Sequence, residues 1–337
     1  MWRKISMKTS FKTVLYKETG TRHIERNKNC EDNVFRYISE KGITSIALSD
    51  GAGSYKYAEK GSEIVACIAA TFMSEKFERL YSLDNETIAD YIIREVLIPL
   101  KEEAEKKCED IIEFSATLLC AAFHPDGRYL ILHVGDGAIV GLNKNNECEV
   151  ISIYEHNGPA NQTTFVTVTG TQFFLKKGAS DYSSVVLMSD GPEEFLVNEL
   201  GANVRIRLMQ QMAFFLTEAD MENQISSLIQ LLVKNGMDDD ASFAVICNMK
   251  ETGNVLSGLS PEFRRQLFDL PKDLSDKKMD NSKKLLAMIG SVPNGTTIGE
   301  LTRNLHVHSK SITKKKLNHL LTMELIKQEN GRIYIAD

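Results

Sequence analysis

Two apolar runs, far apart in the chain, end in the same three residues. Ile46-Ala47-Leu48 runs into Ser49-Asp50-Gly51-Ala52-Gly53, and Val185-Val186-Leu187-Met188 runs into Ser189-Asp190-Gly191. A short apolar run closed by turn residues reads as a buried strand. A carboxylate where such a strand stops, beside backbone that a ligand can approach closely, is a place to hold a hard cation. The repetition limits the folds open to this chain, because both strand ends must reach one edge if the acids are to share an ion.

The elements around these runs follow from periodicity. Phe11 to Lys17 predicts a strand, Thr21 to Asp32 a polar loop, and Asn33–Ser39 with Ile43–Ser49 a short hairpin. Apolar residues at helical spacing predict amphipathic helices over Ala58–Leu80 and Asn85–Lys107. Strands are expected at Phe114–Phe123, Tyr129–Val134, Ala138–Leu142, Cys148–Tyr154, Thr163–Thr169, Val185–Met188 and Ala241–Cys247, with helices at Leu196–Phe215 and Met221–Lys234 and a polar loop at Glu155–Asn161. Two helices, many antiparallel strands, then two helices and a strand point to a layered α+β sandwich.

After Lys250 the pattern changes. Residues 251–280 form a polar connector with a short helix expected at Pro261–Leu270. Helices over Ser282–Ile289, Thr297–Leu305 and Ser309–Met323 precede two short strands around Asn330-Gly331, a strong hairpin signal. Three helices and a hairpin make a winged helix-turn-helix over 281–337. The expected domains are therefore 1–250, a linker 251–280, and 281–337. Charge divides the same way: net −6 overall, with nine Lys/Arg against four Asp/Glu beyond residue 280. An acidic body with a basic tail suggests two tasks. Six cysteines without C-x-x-C spacing suit reduced, packed thiols in a cytoplasm. The basic N-terminus is not followed by an apolar stretch, so no signal peptide is read, and no run approaches a membrane span.

Glu31-Asp32, Asp50, Asp136, Asp190 and Asp238-Asp239-Asp240 all abut apolar segments. Oxygen-only ligands suit magnesium or manganese better than zinc. Gathered together, these carboxylates would repel one another unless cations neutralised them.

The order of motifs resembles the metal-dependent type 2C Ser/Thr protein phosphatases, over about residues 18–248. The acid pair Glu31-Asp32, Asp50-Gly51-Ala52-Gly53 with Gly61-Ser62, Ser115-Ala116-Thr117, Gly135-Asp136-Gly137, Ser189-Asp190-Gly191 and Asp239-Asp240-Ala241-Ser242 match in sequence order. Gly20-x-x-His23 and Cys30-Glu31-Asp32 look most like a bacterial branch. The resemblance implies a four-layer αββα sandwich and two Mn²⁺ or Mg²⁺ ions with a weaker third. Asp50 would bridge the ions with the Gly51 carbonyl on one of them; Asp190 and Asp239 would complete one shell, Asp32 would hold the second ion, and Asp136 would support the third. Catalysis would use a water whose pKa two close ions lower, without a phosphoenzyme. Implied partners are a phosphoprotein substrate and a cognate Ser/Thr kinase.

Three departures stand out. Many relatives carry His after Asp-Gly, where this chain has Ala52. The phosphate-binding Arg often found five residues before the motif-one Asp is replaced by Asn27, which leaves Arg26 as first choice, with Arg22 nearby. Gly137 stands where Ser is usual. In the tail, Lys310, Lys314, Lys315 and Lys316 with His306 and His308 would face DNA phosphates or a protein partner. A phosphatase-like sensor acting through that tail is the alternative to an enzyme.

Overall fold

The computed structural model describes residues 10–153, 163–198, 201–261 and 263–264, and, further on, 285, 288–289, 292, 295–304, 313–314, 317–318, 321 and 326–335. In chain order the elements are β1 (Phe11–Glu18), α1 (Thr21–Glu25), β2 (Asn33–Ile38), β3 (Thr44–Ser49), α2 (Ala58–Glu75), α3 (Phe77–Tyr81), α4 (Asn85–Lys107), β4 (Leu118–Phe123), β5 (Arg128–Val134), β6 (Ala138–Asn143), β7 (Cys148–Ile153), β8 (Phe174–Ala179) and β9 (Tyr182–Met188). There follow α5 (Asp190–Leu196), β10 (Val197–Asn198), β11 (Gly201–Ala202), α6 (Val204–Ala213), α7 (Glu218–Lys234), β12 (Ala241–Asn248), α8 (Thr252–Gly258), α9 (Ile298–Asn304), β13 (Ile326–Glu329) and β14 (Arg332–Ile335).

Two five-stranded antiparallel sheets dominate, in the orders β1-β12-β9-β6-β7 and β2-β3-β4-β5-β8. Alternation along each strand sends its side chains to opposite faces. Ile46, Leu48, Leu119, Ala121, Ile131, Val185, Leu187, Ala244 and Ile246 fill the space between the sheets. The other face of β3, β4 and β5 (Ala47, Cys120, Leu132) packs on α2 and α4 through Val65, Met73, Ile92 and Leu100. The other face of β6, β9 and β12 (Val140, Val186, Val245) packs on α6 and α7 through Ile206, Met209, Ile225 and Ile229. The layers thus run helix, sheet, sheet, helix.

Local chemistry sets the element ends. Asp84 accepts the Thr87 N–H at 2.9 Å to start α4, and Cys108, in the left-handed region at φ 55°, ends it. Thr217 caps α7 through the Asp220 N–H.

Several expectations need correction. The helix expected over Ala58–Leu80 breaks at Lys76, and α3 then turns Phe77 and Leu80 into full burial. The loop expected at 21–32 contains α1. Thr163–Thr169 is irregular instead of a strand: Thr163 is drawn to Asp136, and the Val166 N–H meets the carbonyl of Ala116, which lies ahead of β4. No single helix covers Leu196–Phe215. The tiny hairpin β10–β11 intervenes, Gly201 takes φ +108°, and Asn203 caps a new helix. The lysine-bearing edge strand β8 was not foreseen, nor was α8 inside the expected linker. The polar loop expected at Glu155–Asn161 lies outside the described residues.

In the C-terminal part, β13 and β14 pair as a hairpin across Asn330 and Gly331, both at positive φ, as that dipeptide requires. Leu285, Ile289, Leu301, Leu317, Ile326 and Ile333 share one apolar cluster with Leu256 and Leu259, which follow the two-sheet body. Of the expected helices Pro261–Leu270, Ser282–Ile289 and Ser309–Met323, only isolated residues are described, and His306, His308, Lys310, Lys315 and Lys316 lie outside them. All six cysteines are unpaired. No described helix is long and apolar enough to cross a membrane.

Candidate metal centre

Strand register alone brings the acidic sites to one end of the molecule. Asn33 at the start of β2 faces Ser49 at the end of β3, and Leu118 at the start of β4 faces Val134 at the end of β5. In the other sheet, Met188 at the end of β9 faces both Phe243 and Ala138, near the starts of β12 and β6. Residues 32, 50, 136, 190 and 239–240 therefore sit just beyond strand ends that coincide.

Asp50, Asp136 and Asp190 each offer a carboxylate oxygen, and these oxygens lie within 4.8 Å of one another. The Asp50 backbone is fixed by Thr117, whose hydroxyl accepts the Asp50 N–H at 2.9 Å and whose own N–H donates to the Asp50 carbonyl at 2.9 Å. Asp136 stands between β5 and β6 in a loop made possible by Gly135 (φ +97°) and Gly137 (φ +89°). At Gly137 a Cβ would also lie 2.6 Å from the Met188 carbonyl oxygen, which accounts for glycine where serine was expected. The Asp136 carboxylate accepts the Thr163 hydroxyl at 2.6 Å. Asp190 opens α5 and accepts the Gly191 N–H at 2.8 Å. Gly51 is equally constrained: a Cβ there would lie 2.5 Å from the Ala58 carbonyl oxygen.

Asp32 is 1% exposed, and neither of its carboxylate oxygens completes a hydrogen bond of normal geometry. A buried anion lacking well-formed hydrogen bonds is costly, even where Ser242, Ser189 and Asp50 ease its charge. Burial, followed by the nearby Asp240, pushes Asp32 up to about 6. Burial, then Asp136, Asp32 and Asp239, push Asp190 up to about 8. Burial, then Asp32, Asp190 and Asp136, hold Asp50 well above the usual carboxylate range. The strain between these acids is the kind that a divalent cation relieves, and the all-oxygen donor set fits magnesium or manganese. The residues present thus fit a divalent metal site, centred on Asp50, Asp136 and Asp190, with Asp32 beside Asp50.

The triple acid at 238–240 divides its work in a way the sequence did not reveal. Asp240 is buried and accepts three hydrogen bonds, from the Gly20 N–H (2.7 Å), the Glu31 N–H (2.7 Å) and His23 Nδ1 (2.9 Å). His23 is itself buried, with Nε2 3.5 Å from Glu31 Oε2. Asp240 and His23 therefore clamp the segment that delivers Asp32 against the segment that delivers Asp239. Replacing His23 with Ala is expected to weaken Mn²⁺ affinity about 10–100-fold while the chain still folds, measured by calorimetric titration. Rescue by Asn or Gln would locate the effect in the hydrogen bond.

Asp239 lies outside the three-carboxylate group. Its carboxylate is ion-paired with Arg22, and the other oxygen accepts the Asp240 N–H. Asp239, with Asp238 and Asp190 further off, favours the charged form of Arg22. Arg26, the expected phosphate contact, is exposed at the C-cap of α1. The reason is α1 itself: a helical turn where a loop was expected carries residue 22 toward Asp239 and residue 26 to the helix end.

His133 was missed altogether. It is a polar residue in the apolar run of β5, 3% exposed, with ring nitrogens against Ser152 Oγ (2.8 Å) and the Asp136 carbonyl (3.1 Å). Burial lowers it to about 4, so it is neutral and braces the Asp136 loop from behind.

The chain is similar to known proteins. The family model described as "Protein phosphatase 2C" matches residues 19–230. Serine/threonine-protein phosphatase 3 of Escherichia coli (strain K12) is 25% identical over 252 residues, covering 70% of this chain and 98% of that protein. Among solved structures, a bacterial serine phosphatase gives a TM-score of 0.49 at 17% identity, covering 70% of this chain and 96% of the other. The serine/threonine phosphatase Stp1 from Staphylococcus aureus gives 0.48 at 18% identity, covering 73% and 98%. With the family match spanning well over half of its length, this chain belongs to the protein phosphatase 2C family of serine/threonine phosphatases.

Proposed function

We propose that the chain is a metal-dependent phosphatase that removes phosphate from serine or threonine side chains of a phosphoprotein. The observation that carries this reading is the meeting of Asp50, Asp136 and Asp190 within 4.8 Å at coincident strand ends. Asp32, Asp50, Asp136, Asp190 and the Gly51 carbonyl would hold Mn²⁺ or Mg²⁺, with Asp239 joining when it leaves Arg22. Bound ions would lower the pKa of a coordinated water and neutralise the phosphoryl oxygens. The protein's part is to place that charge: Thr117 fixes Asp50, the Gly135–Gly137 loop fixes Asp136, and the Asp240–His23 clamp fixes Asp32. Arg22, freed from Asp239, would grip the phosphate.

The test is hydrolysis of an aryl phosphate with and without manganese, on wild type and Asp190→Ala. Manganese-dependent turnover lost in the variant supports the reading; equal turnover in both contradicts it. The choice between arginines has its own test. Arg22→Ala is expected to raise KM for an aryl phosphate about tenfold, the scale of one charge-assisted hydrogen bond, whereas Arg26→Ala leaves it within about twofold.

We infer further that residues 281–337 form a winged helix-turn-helix. Supporting this are α9, the β13–β14 hairpin, the Thr296–Ile333 bridge and their common apolar cluster. Its net positive charge fits DNA or an acidic protein surface. Helix α8 follows β12 at the sheet end opposite the acids, and it and the preceding Glu251 are tied to the β6–β7 turn by Asn146–Asn254, Lys144–Asn254 and Lys144–Glu251 contacts. That placement favours a targeting module over a lid. Unpaired cysteines throughout fit a reducing cytoplasm, and a cognate kinase would supply the phosphorylated substrate.

A further inference from the structure

Beside the segment that delivers Asp32 lies a cavity of about 480 Å³, lined among others by Lys17, Ile24, Lys28, Asn29 and Glu59. We propose that it is a substrate subsite for an acidic side chain next to the phosphorylated residue, so that the enzyme prefers phosphosites in acidic surroundings. This rests on the phosphatase reading above and adds the class of substrate.

Both lysines are held in place. Lys17 Nζ donates to the Asp32 carbonyl and to Asn33 Oδ1, each at 2.9 Å. Lys28 Nζ donates to the Gly53 carbonyl at 3.0 Å and to Glu31 Oε1 at 3.1 Å. An ammonium has three N–H donors, so each lysine has one left for a ligand, and little side-chain freedom remains to be lost on binding. Glu59, the acidic residue of the lining, is turned to Asn29 Nδ2 at 3.2 Å and Lys28 shares its charge with Glu31, so the attraction for an acidic group centres on Lys17, whose two acceptors are uncharged.

The position of the cavity links it to the cage. The acceptors of the two lysines are the backbone of Asp32 itself and the Asp50–Gly53 loop. A peptide whose phosphate entered the cage would therefore bring a neighbouring side chain over these ammonium groups. Ile24, 60% exposed on the wall of the same cavity, offers an apolar contact for the stem of that side chain. Because the cage carries many carboxylates, an acidic substrate needs such a local attraction to approach it.

Three phosphoserine peptides test the proposal, identical except for Asp, Ala or Lys on both sides of the phosphoserine. Each is hydrolysed with manganese by the full-length wild type and by the K17M/K28M double variant. The readout is the ratio of kcat/KM between peptides within one protein, which cancels any loss common to all substrates. Two exposed charge contacts are expected to give wild type about a three- to tenfold preference for Asp over Ala, shrinking in high salt. The double variant is expected to show a ratio near one. Should the double variant fail to fold, K17M alone is expected to lower the ratio by about half the wild-type preference on a logarithmic scale. The same Asp/Ala ratio in wild type and variant, or no Asp preference in wild type, overturns the subsite. Equal hydrolysis of all three peptides removes only the subsite, whereas no hydrolysis of any peptide removes the phosphatase reading and the subsite with it.

Discussion

Asp50→Asn is expected to abolish manganese-dependent phosphatase activity and, in the same protein, to raise the melting temperature of the metal-free form. The first effect should exceed about a hundredfold in kcat, since losing even a supporting group of a metal site costs 10–100-fold. The second follows from the electrostatics of the cage. Asp50 is surrounded by Asp32, Asp136 and Asp190, and burial together with these neighbours opposes its charge. A neutral amide of the same shape removes that repulsion at no cost in packing. A gain of about 2–8 °C is expected in EDTA, the scale of one to two kcal/mol in a domain of this size. Opposite signs for stability and activity would mark the residue as held for function against the preference of the fold. A loss of both would make Asp50 an ordinary structural residue.

The second large effect is a pH dependence that reverses with metal. Asp190 titrates at about 8 in the folded protein against 3.8 for the free side chain, and the partly buried Glu193 is raised to about 7. The folded state therefore binds more protons than the unfolded chain between those values, and stability falls as pH rises through them. His133 acts in the other direction. Its folded value near 4 lies below its ordinary 6.5, so it contributes stability that grows as pH rises between the two and is complete above them. The clean window is thus pH 6.5 to 8.5. In EDTA the melting temperature should drop across that window, as stability falls by up to about 1.4 kcal/mol per pH unit for each proton held. With saturating Mn²⁺ it should rise instead, because the ion binds the deprotonated carboxylates; at a hundredfold excess over Kd the ion adds about 2.7 kcal/mol. Asp190→Asn should flatten the EDTA curve.

How far the sequence could be read depended on what each residue answers to. The strand ends at Asp50 and Asp190 were legible because a long apolar run stopped at a turn, a local pattern. Their convergence was legible only through the order of motifs, since register is a property of pairs. Asp239 was favoured over Asp240 on the same grounds, yet three hydrogen bonds make Asp240 the buried clamp and leave Asp239 to Arg22. The pairing of Arg22 with Asp239 and the exposed place of Arg26 were not legible because a one-turn helix of five residues has too little periodicity to show against a polar background. Strand β8 was missed because an edge strand carries lysines and glycine where a central strand carries valine. Thr163–Thr169 misled in the opposite way: its alternation is real, but Thr163 bonds Asp136 and Thr167 bonds Ser115 in place of a ladder. His133 was signalled by one polar residue inside an apolar strand, which a reading by average hydropathy passes over.

Crystals grown with Mn²⁺ and measured at the manganese absorption edge examine the core of this account without reference to any substrate. Anomalous peaks are expected within ligand distance, about 2.0–2.3 Å, of carboxylate oxygens of Asp50 and Asp190, with Asp32 or Asp136 completing the shells. A manganese peak bound elsewhere, with these carboxylates left uncoordinated at saturating metal, would contradict it.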